Sequence, residues 1–424
     1  MSLNEEQYAK HSRQSINKIL KALSPKELIS QEIPSRPEEL GLRDPLFLLS
    51  IGKAAAEMTE AISGRWRIPA EKTLTLIPQG SVPPKNYPAL TGEHPFPGPL
   101  SIESTKIVLE KISSLPTRTA LIAAISGGTS SLLAAPVSPI TLEKKVQVIG
   151  SLMKKGLPIE EINQVRTALS SVKGGKLLDF FHGSESLTII LSDTPGMPSY
   201  MVGSGPTIPS DLGNRATASN ILKSLDIDCK IPNPSRRVAS ARNTSLLLHE
   251  PIVIGDSRTA ILRSSGILEV PNTDIHIWSD KIKGEAQTVG ITLASLMLYD
   301  RRPSGNNQLF IGSGETTVSI GTSNGEGGRT LELALSIAQT LHDGGLHSFV
   351  VGALATDGID GNSGLAGCII PGSGFGKLKQ FHIQNALRSH NTKPVVQKTG
   401  WAIKTGATGT NLNDLFWVFL PENA

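Results

Sequence analysis

Short apolar runs recur along the chain, each closing in a Gly or Ser turn and followed by a helical pattern. That is the signature of βα units feeding a parallel sheet. In the first half, Leu46–Ile51 reads as a strand running into a helix at Lys53–Ile62, and Thr73–Ile77 as a strand before a Pro-rich loop. A helix at Ile102–Ser114 precedes a strand at Ala120–Ile125. After Ser126-Gly127-Gly128-Thr129-Ser130-Ser131, helical material runs to about Phe181, and Leu187–Leu191 reads as a further strand. The pattern predicts a three-layer αβα sandwich.

A polar stretch at Lys230–Asn243, with Pro232, Pro234 and paired Arg236-Arg237, is the expected linker. Beyond it the rhythm restarts. Pro251–Ile254, Asp274–Trp278, Gln308–Ile311, Thr316–Ile320, Ser348–Leu354 and Leu415–Leu420 read as strands, with helices near Glu285–Leu298 and Arg329–Leu341. The expectation is an α/β protein of two domains, 1–243 and 244–424, whose last segment is free to pack on the first domain. No fixed-period repeat points to a solenoid or propeller.

Composition narrows the classes. A chain of 424 residues is too long for one ordinary core. Hydrophobic residues make up 38% and charged residues 18%, enough apolar material to fold throughout. The formal charge of +4 is spread without a block of like charges, which argues against nucleic acid as a partner. Cys229 and Cys368 are too few for a disulfide framework and read as free thiols. The first residues lack an apolar h-region, and no window is apolar and long enough to span a bilayer. A cytoplasmic protein with no membrane partner is expected.

The glycines, 41 in all, cluster in short motifs. Ser126–Ser131 follows an apolar strand and introduces a helical segment, where amides and hydroxyls converge on anions. It reads as a phosphate cradle or as a bare βα turn. Neither G-x-x-x-x-G-K-[ST] nor a dinucleotide G-x-G-x-x-G is present. Lys53 stands where a strand gives way to a helix, the edge where ligands of open α/β sheets gather. Arg166 and Lys173 are two helical turns apart, a spacing that lets one face carry both charges, with Asn163 and Lys176 nearby. The same residues fit an ordinary solvated basic face.

The second half is denser: Ser313-Gly314-Glu315-Thr316-Thr317, Gly325-Glu326-Gly327-Gly328-Arg329, Thr356-Asp357-Gly358-Ile359-Asp360-Gly361 and Thr405-Gly406-Ala407-Thr408-Gly409-Thr410-Asn411. Arg329 begins a helix, where a guanidinium opposes the helix dipole unless something anionic lies close. Asp357 and Asp360 suit Mg2+ ligation, proton acceptance or plain turn formation.

Together these segments resemble the type 2 glycerate kinase family, long also labelled hydroxypyruvate reductases, whose C-terminal part is the MOFRL domain. The resemblance rests on Gly52-Lys53-Ala54-Ala55, Glu93-His94-Pro95-Phe96-Pro97, Ser126-Gly127-Gly128-Thr129-Ser130, Asn163-Gln164-Val165-Arg166, Lys173-Gly174-Gly175, Ser192-Asp193, Ser204-Gly205-Pro206-Thr207, Gly314-Glu315-Thr316-Thr317, Gly327-Gly328-Arg329, Thr356–Gly361 and Thr408-Gly409-Thr410-Asn411. It implies an N-terminal Rossmann-like domain, a smaller C-terminal α/β domain, and a cleft between them where MgATP phosphorylates D-glycerate at the 2-hydroxyl. It also implies Lys53 and Arg329 as the principal catalytic cations; of the acids Asp193, Glu315, Asp357 and Asp360, one would carry Mg2+ and another would receive the substrate proton, with Asp193 taken as the catalytic one. Ser126, Gly127, Gly128, Thr129, Ser130, Asn163, Arg166, Lys173 and Glu315 would contact the nucleotide, and Asp357 and Asp360 the Mg2+. A homodimer is compatible with all of this.

The chain departs from the family pattern at motifs. Met197-Pro198 follows Gly196 where the family has an acid, and Thr330-Leu331 stands for Asn-Gln after Gly-Gly-Arg. Ser313 replaces a common Gly and Ala407 a usual Pro. Two rival readings follow: a non-catalytic relative that binds nucleotide or sugar acid, and an NAD(P)H-dependent hydroxypyruvate reductase. Missing dinucleotide fingerprints count against the second. His94, between Glu93 and Pro95, suits a structural loop role as well as a catalytic one.

Overall fold

The structure, a computed structural model, describes residues 4–232, 245–299, 305–378 and 380–422. The chain divides into two compact units, Leu28–Ile254 and a second made of Met1–Glu27 with Gly255–Ala424.

In the Leu28–Ile254 unit the strands are β1 (Leu46–Ile51), β2 (Thr73–Pro78), β3 (Ala89–Gly92), β4 (Ala120–Ile125), β5 (Glu185–Leu191), β6 (Leu247–Leu248) and β7 (Ile252–Gly255). They lie in the order β3-β2-β1-β4-β5-β6, with β7 also on β5, and every pair from β3 to β6 is parallel. The chain leaves β1 towards β3, then returns to place β4 on β1's other side. That reversal is the topological switch point at which open α/β sheets bind ligands. Strands β1 and β4 are buried at all positions. Phe47, Leu49 and Ile51 share a core with Leu121, Ala123 and Ile125 and with Val108 and Ile112 of helix Pro99–Ser113. This is the expected Rossmann-like sandwich.

The second unit holds β8 (Thr273–Ile277), β9 (Ile282–Glu285), β10 (Asn307–Thr317), β11 (Val350–Ala355), β12 (Gly367–Pro371), β13 (Ala402–Ile403) and β14 (Asp414–Leu420), in the order β13-β12-β11-β14-β10-β8 with β9 also on β10. Here β14 runs antiparallel between β10 and β11, so the sheet is mixed. Two strands expected at Gln308–Ile311 and Thr316–Ile320 are one strand. The Gly312-Ser313-Gly314 between them does not break it, because their small size lets Ile282 of β9 pack against the strand.

The boundaries expected from the sequence differ from this division. The linker from residue 233 to 243, and the cut after it, lie outside the described residues. The larger difference is at the start: helix Glu5–Ala22 belongs to the unit that holds the C-terminal half. A capping box between Asn4 and Gln7 starts this helix, and Tyr8, Ile16 and Ile19 are buried. The Tyr8 ring stacks on Phe419 with centroids 3.5 Å apart, and its hydroxyl donates to the Leu268 carbonyl at 2.9 Å. Arg13 donates to the carbonyls of Ala402 and Gly400. An apolar helical face announces that it will be buried, not against which sheet, so pattern alone assigned it to its sequence neighbours.

Tyr8→Ala is expected to destabilise this unit by about 3–5 kcal/mol, and Tyr8→Phe by about 1 kcal/mol through the lost hydrogen bond. Denaturant unfolding followed by tryptophan fluorescence checks this. An unchanged midpoint in Tyr8→Ala would remove the helix from the core.

Candidate active site

In the Leu28–Ile254 unit the site grows from the ends of three adjacent strands, β1, β4 and β5. Gly52, with φ of 131°, turns the chain after β1 against the loop that follows β4; a side chain there would strike Ser126 and the Gly127 carbonyl. Lys53 N donates to the Gly127 carbonyl at 2.8 Å, Ala54 N to Ser126 Oγ at 3.2 Å, and Thr129 Oγ1 to the Ile51 carbonyl at 2.8 Å. The hydroxyls of Ser126 and Thr129 therefore tie the two loops together. Ser130 Oγ hydrogen-bonds Ser204 Oγ at 3.2 Å. The amides of Gly127 and Gly128 donate to no acceptor among the described residues. The helix after them, Thr129–Leu132, is a single turn, so an anion here would meet loop amides and not the dipole of a long helix.

The Asp193 carboxylate, beyond β5, lies in the space a Gly127 side chain would fill. His94, beyond β3, lies against Gly128: a side chain on Gly128 would meet His94 Cδ2 at 3.1 Å and Lys53 Cγ at 3.3 Å. Burial, and then the Lys53 charge, lower the His94 pKa. Lys53 itself is exposed. Lys53, Gly127, Gly128, Asp193 and His94 thus share one spot at the switch point, and the sequence had left His94 undecided.

Asn163, Arg166 and Lys173 go elsewhere within the unit. Helix Ile159–Ala168 ends before Lys173, so no single helical face carries both cations as the spacing suggested. Arg166 Nη1 donates to Asn163 Oδ1 at 2.6 Å, and Ser204 Oγ to the same oxygen at 3.4 Å. Lys173 is buried, and its ammonium donates to the carbonyls of Ser130 at 2.8 Å and Leu133 at 3.3 Å. Lys176 likewise donates to the Thr167 and Ser170 carbonyls. The solvated basic face is excluded: these cations turn inward. A fourth, Lys145 of helix Leu142–Lys154, joins them, and nothing in the sequence pattern singled it out. Burial, then Arg166 and Lys176, pull Lys145 down to about 7. Burial, then Lys145, Arg166 and Lys176, hold Lys173 well below the ordinary lysine value.

In the second unit the four Gly-rich loops of the sequence converge at one sheet edge. Because β14 is antiparallel to β10 and β11, its first residue, Asp414, pairs in register with Gly314 near the end of one and Ala355 at the end of the other. Arg329, at the start of helix Arg329–Asp343, grips Asp414 with Nε at 2.6 Å and Nη2 at 3.3 Å, and Glu315 with Nη1 at 2.7 Å. Burial works against the guanidinium, but the carboxylates of Asp414 and Glu315 outweigh it and raise its pKa. The anion that Arg329 required at a helix start is thus supplied by the protein itself. Burial raises Asp414 to about 7 although Arg329 pulls the other way. Asp414 was missed in the sequence; its signal is an acid opening a strand that is buried at every position.

Asp360 departs from the metal ligand expected. Its two oxygens accept from the Thr330 and Leu331 amides, each at 3.0 Å, and cap helix Arg329–Asp343. Asn362 braces Gly325 and Gly327 in the loop leading into that helix. Asp357 Oδ1 accepts from Ile359 N at 3.1 Å, and its carbonyl accepts from Thr408 N at 3.2 Å, joining the loops 356–361 and 405–411. Among the described residues no group of three His, Cys, Asp or Glu is placed to hold a metal ion.

Comparison with known proteins gives the family. Residues 11–240 match the "Domain of unknown function (DUF4147)", and residues 308–414 match the MOFRL family. A glycerate 2-kinase of Pyrococcus horikoshii is 30% identical over 89% of this chain and 88% of its own length. The chain belongs to the type 2 glycerate kinase family. A putative hydroxypyruvate reductase of Agrobacterium vitis is 29% identical over 95% of this chain and 93% of that one. The crystal structure of a glycerate kinase from Thermotoga maritima superposes with a TM-score of 0.80 at 28% identity, covering 98% of this chain and 100% of that one. Against the family's motifs, Leu331 is a core residue packed among the helix and sheet side chains. No helix among the described residues is long and apolar enough to cross a membrane.

Asp360→Ala is expected to destabilise the second unit by about 1–2 kcal/mol in metal-free buffer through loss of the helix cap, with Asp360→Asn costing less. Denaturant titration reads it. A midpoint that moves only when Mg2+ is present would return Asp360 to the metal.

Proposed function

We propose that the protein is an ATP-dependent glycerate kinase that phosphorylates the 2-hydroxyl of D-glycerate in the cytoplasm. The observation that carries the reading is the meeting of Lys53, the Gly127 and Gly128 amides and the Asp193 carboxylate at the switch point of the parallel sheet, in a chain of this family. Phosphoryl transfer needs positioning and charge neutralisation more than covalent chemistry from the protein. An ammonium and two glycine amides with no acceptor among the described residues fit phosphate oxygens, so this loop is suited to a nucleotide.

Lys53 and the two amides neutralise the transferring phosphoryl group. The substrate hydroxyl oxygen bonds to the γ-phosphorus, the bond to the bridging oxygen of ADP breaks, and Asp193 receives the hydroxyl proton. Arg329 is kept charged by Asp414 and Glu315 and is paired with both, so an anionic substrate group would have to displace one of these carboxylates to reach it. Asp360 is committed to the helix start, so Asp357 is the better candidate of the pair should Mg2+ bind in this unit.

Coupled assay of ADP release from MgATP with D-glycerate tests the reading. Lys53→Ala and Asp193→Asn are each expected to lower kcat by about 10²–10³-fold. ATP binding without ADP formation from any hydroxy acid would show a non-catalytic relative. NADH oxidation with hydroxypyruvate in place of ADP release would overturn the kinase.

A further inference from the structure

Lys145 is the least explained residue in the molecule. It projects from helix Leu142–Lys154, is 5% exposed, and its ammonium has no hydrogen-bond partner among the described residues. A buried charge without a partner is among the most unfavourable arrangements a fold can hold. The groups around it aggravate the cost: Arg166 on helix Ile159–Ala168, with Lys173 and Lys176 on the segment that follows. These neighbours have found oxygen. Lys173 and Lys176 each take two backbone carbonyls, and Arg166 takes the Asn163 amide oxygen. Asp179 is the carboxylate that acts on Lys176. Lys145 alone among the four lacks an oxygen partner.

We propose that Lys145, Arg166 and Asn163 form a recessed oxyanion site, in which a carboxylate or phosphate group of a ligand supplies the acceptor that Lys145 lacks. Arg166 and Lys176 are half-buried and give the site its side towards solvent. The site is not isolated from the chemistry in the same unit. From Arg166 a hydrogen-bond path runs through Asn163 and Ser204 to Ser130, in the loop against which Lys53 is folded. On the kinase reading, a small hydroxy acid would bind here through its carboxylate. The identity of this occupant rests on the kinase reading; the existence of the site does not. A nucleotide phosphate is the other source of the same chemistry.

The full-length protein is titrated by calorimetry at pH 8 with D-glycerate, ADP and inorganic phosphate, each in two buffers of different ionisation enthalpy. Lys145→Met is measured beside the wild type. Binding is expected to take up a proton, because burial leaves Lys145 titrating near 7 and a bound anion raises it. Lys173 and Lys176 contribute in the same direction, and Asp179, which already raises Lys176, lessens that residue's share. In Lys145→Met the affinity should fall at least about tenfold and the proton uptake shrink. Loss for D-glycerate alone assigns the acceptor carboxylate, loss for ADP alone assigns a nucleotide phosphate, and loss for inorganic phosphate establishes the site with either occupant.

The variant is expected to fold. Its unligated melting temperature should exceed that of wild type at pH 7. The sign follows from linkage: the depressed folded pKa makes charged Lys145 destabilising below about 7, and that penalty fades as pH rises towards the unfolded value. The gap should therefore close by about pH 10. Equal affinities for all three probes in wild type and variant, or no binding of any to wild type, would overturn the proposal. Oxyanion binding through Lys145 in a protein that releases no ADP would keep the site and sink the kinase. ADP release with binding unchanged in Lys145→Met would do the reverse.

Discussion

The close approach of the loops after β1 and β4 is the constraint on which the first cluster depends. Two adjacent parallel strands end side by side, and their loops touch at Gly52, where any side chain would collide with Ser126 and Gly127. The hydrogen bonds from Lys53 N, Ala54 N and Thr129 Oγ1 lock this crossing. Because the Ser126 and Thr129 hydroxyls are consumed in that lock, the groups left beside it are the Lys53 side chain, the Gly127 and Gly128 amides and the Asp193 carboxylate. A motif that reads as a row of hydroxyl ligands becomes a rigid mount for a different set of groups.

Charge is managed differently in the two units. Around Arg329 the protein supplies its own anions, and antiparallel β14 makes this workable by delivering Asp414 between the ends of β10 and β11. Asp360 meanwhile satisfies two amides that the start of the same helix would leave orphaned. Around Lys145 the protein supplies neutral oxygens and stops one short. A complete ion-pair network holds a side chain in place, whereas a buried cation short of an acceptor favours an anion beside it.

Much of this was legible in the chain. The strands Leu46–Ile51 and Ala120–Ile125 stand as expected because continuous apolar runs bounded by glycine are the mark of strands buried on both faces. The Gly-rich loops 313–317, 325–329, 356–361 and 405–411 were visible as a set, because glycine is required wherever backbones meet closely. Asp360 was visible too, but an aspartate beside glycine reads equally as turn, ligand or cap. Only the position of the Thr330 and Leu331 amides separates these roles.

The sequence by itself determined the local elements, the family and the βα order that puts Lys53 and Ser126–Ser130 at strand ends, because these depend on periodicity and near-neighbour spacing. The tertiary structure decided which unit holds helix Glu5–Ala22, that Asp414 is the partner of Arg329, and that Lys145 sits buried among three other cations. Each of these joins residues far apart in the chain, through a surface whose pattern says only that something will cover it. A face announces burial or charge from its own residues, but its partner is chosen by the packing of the whole sheet.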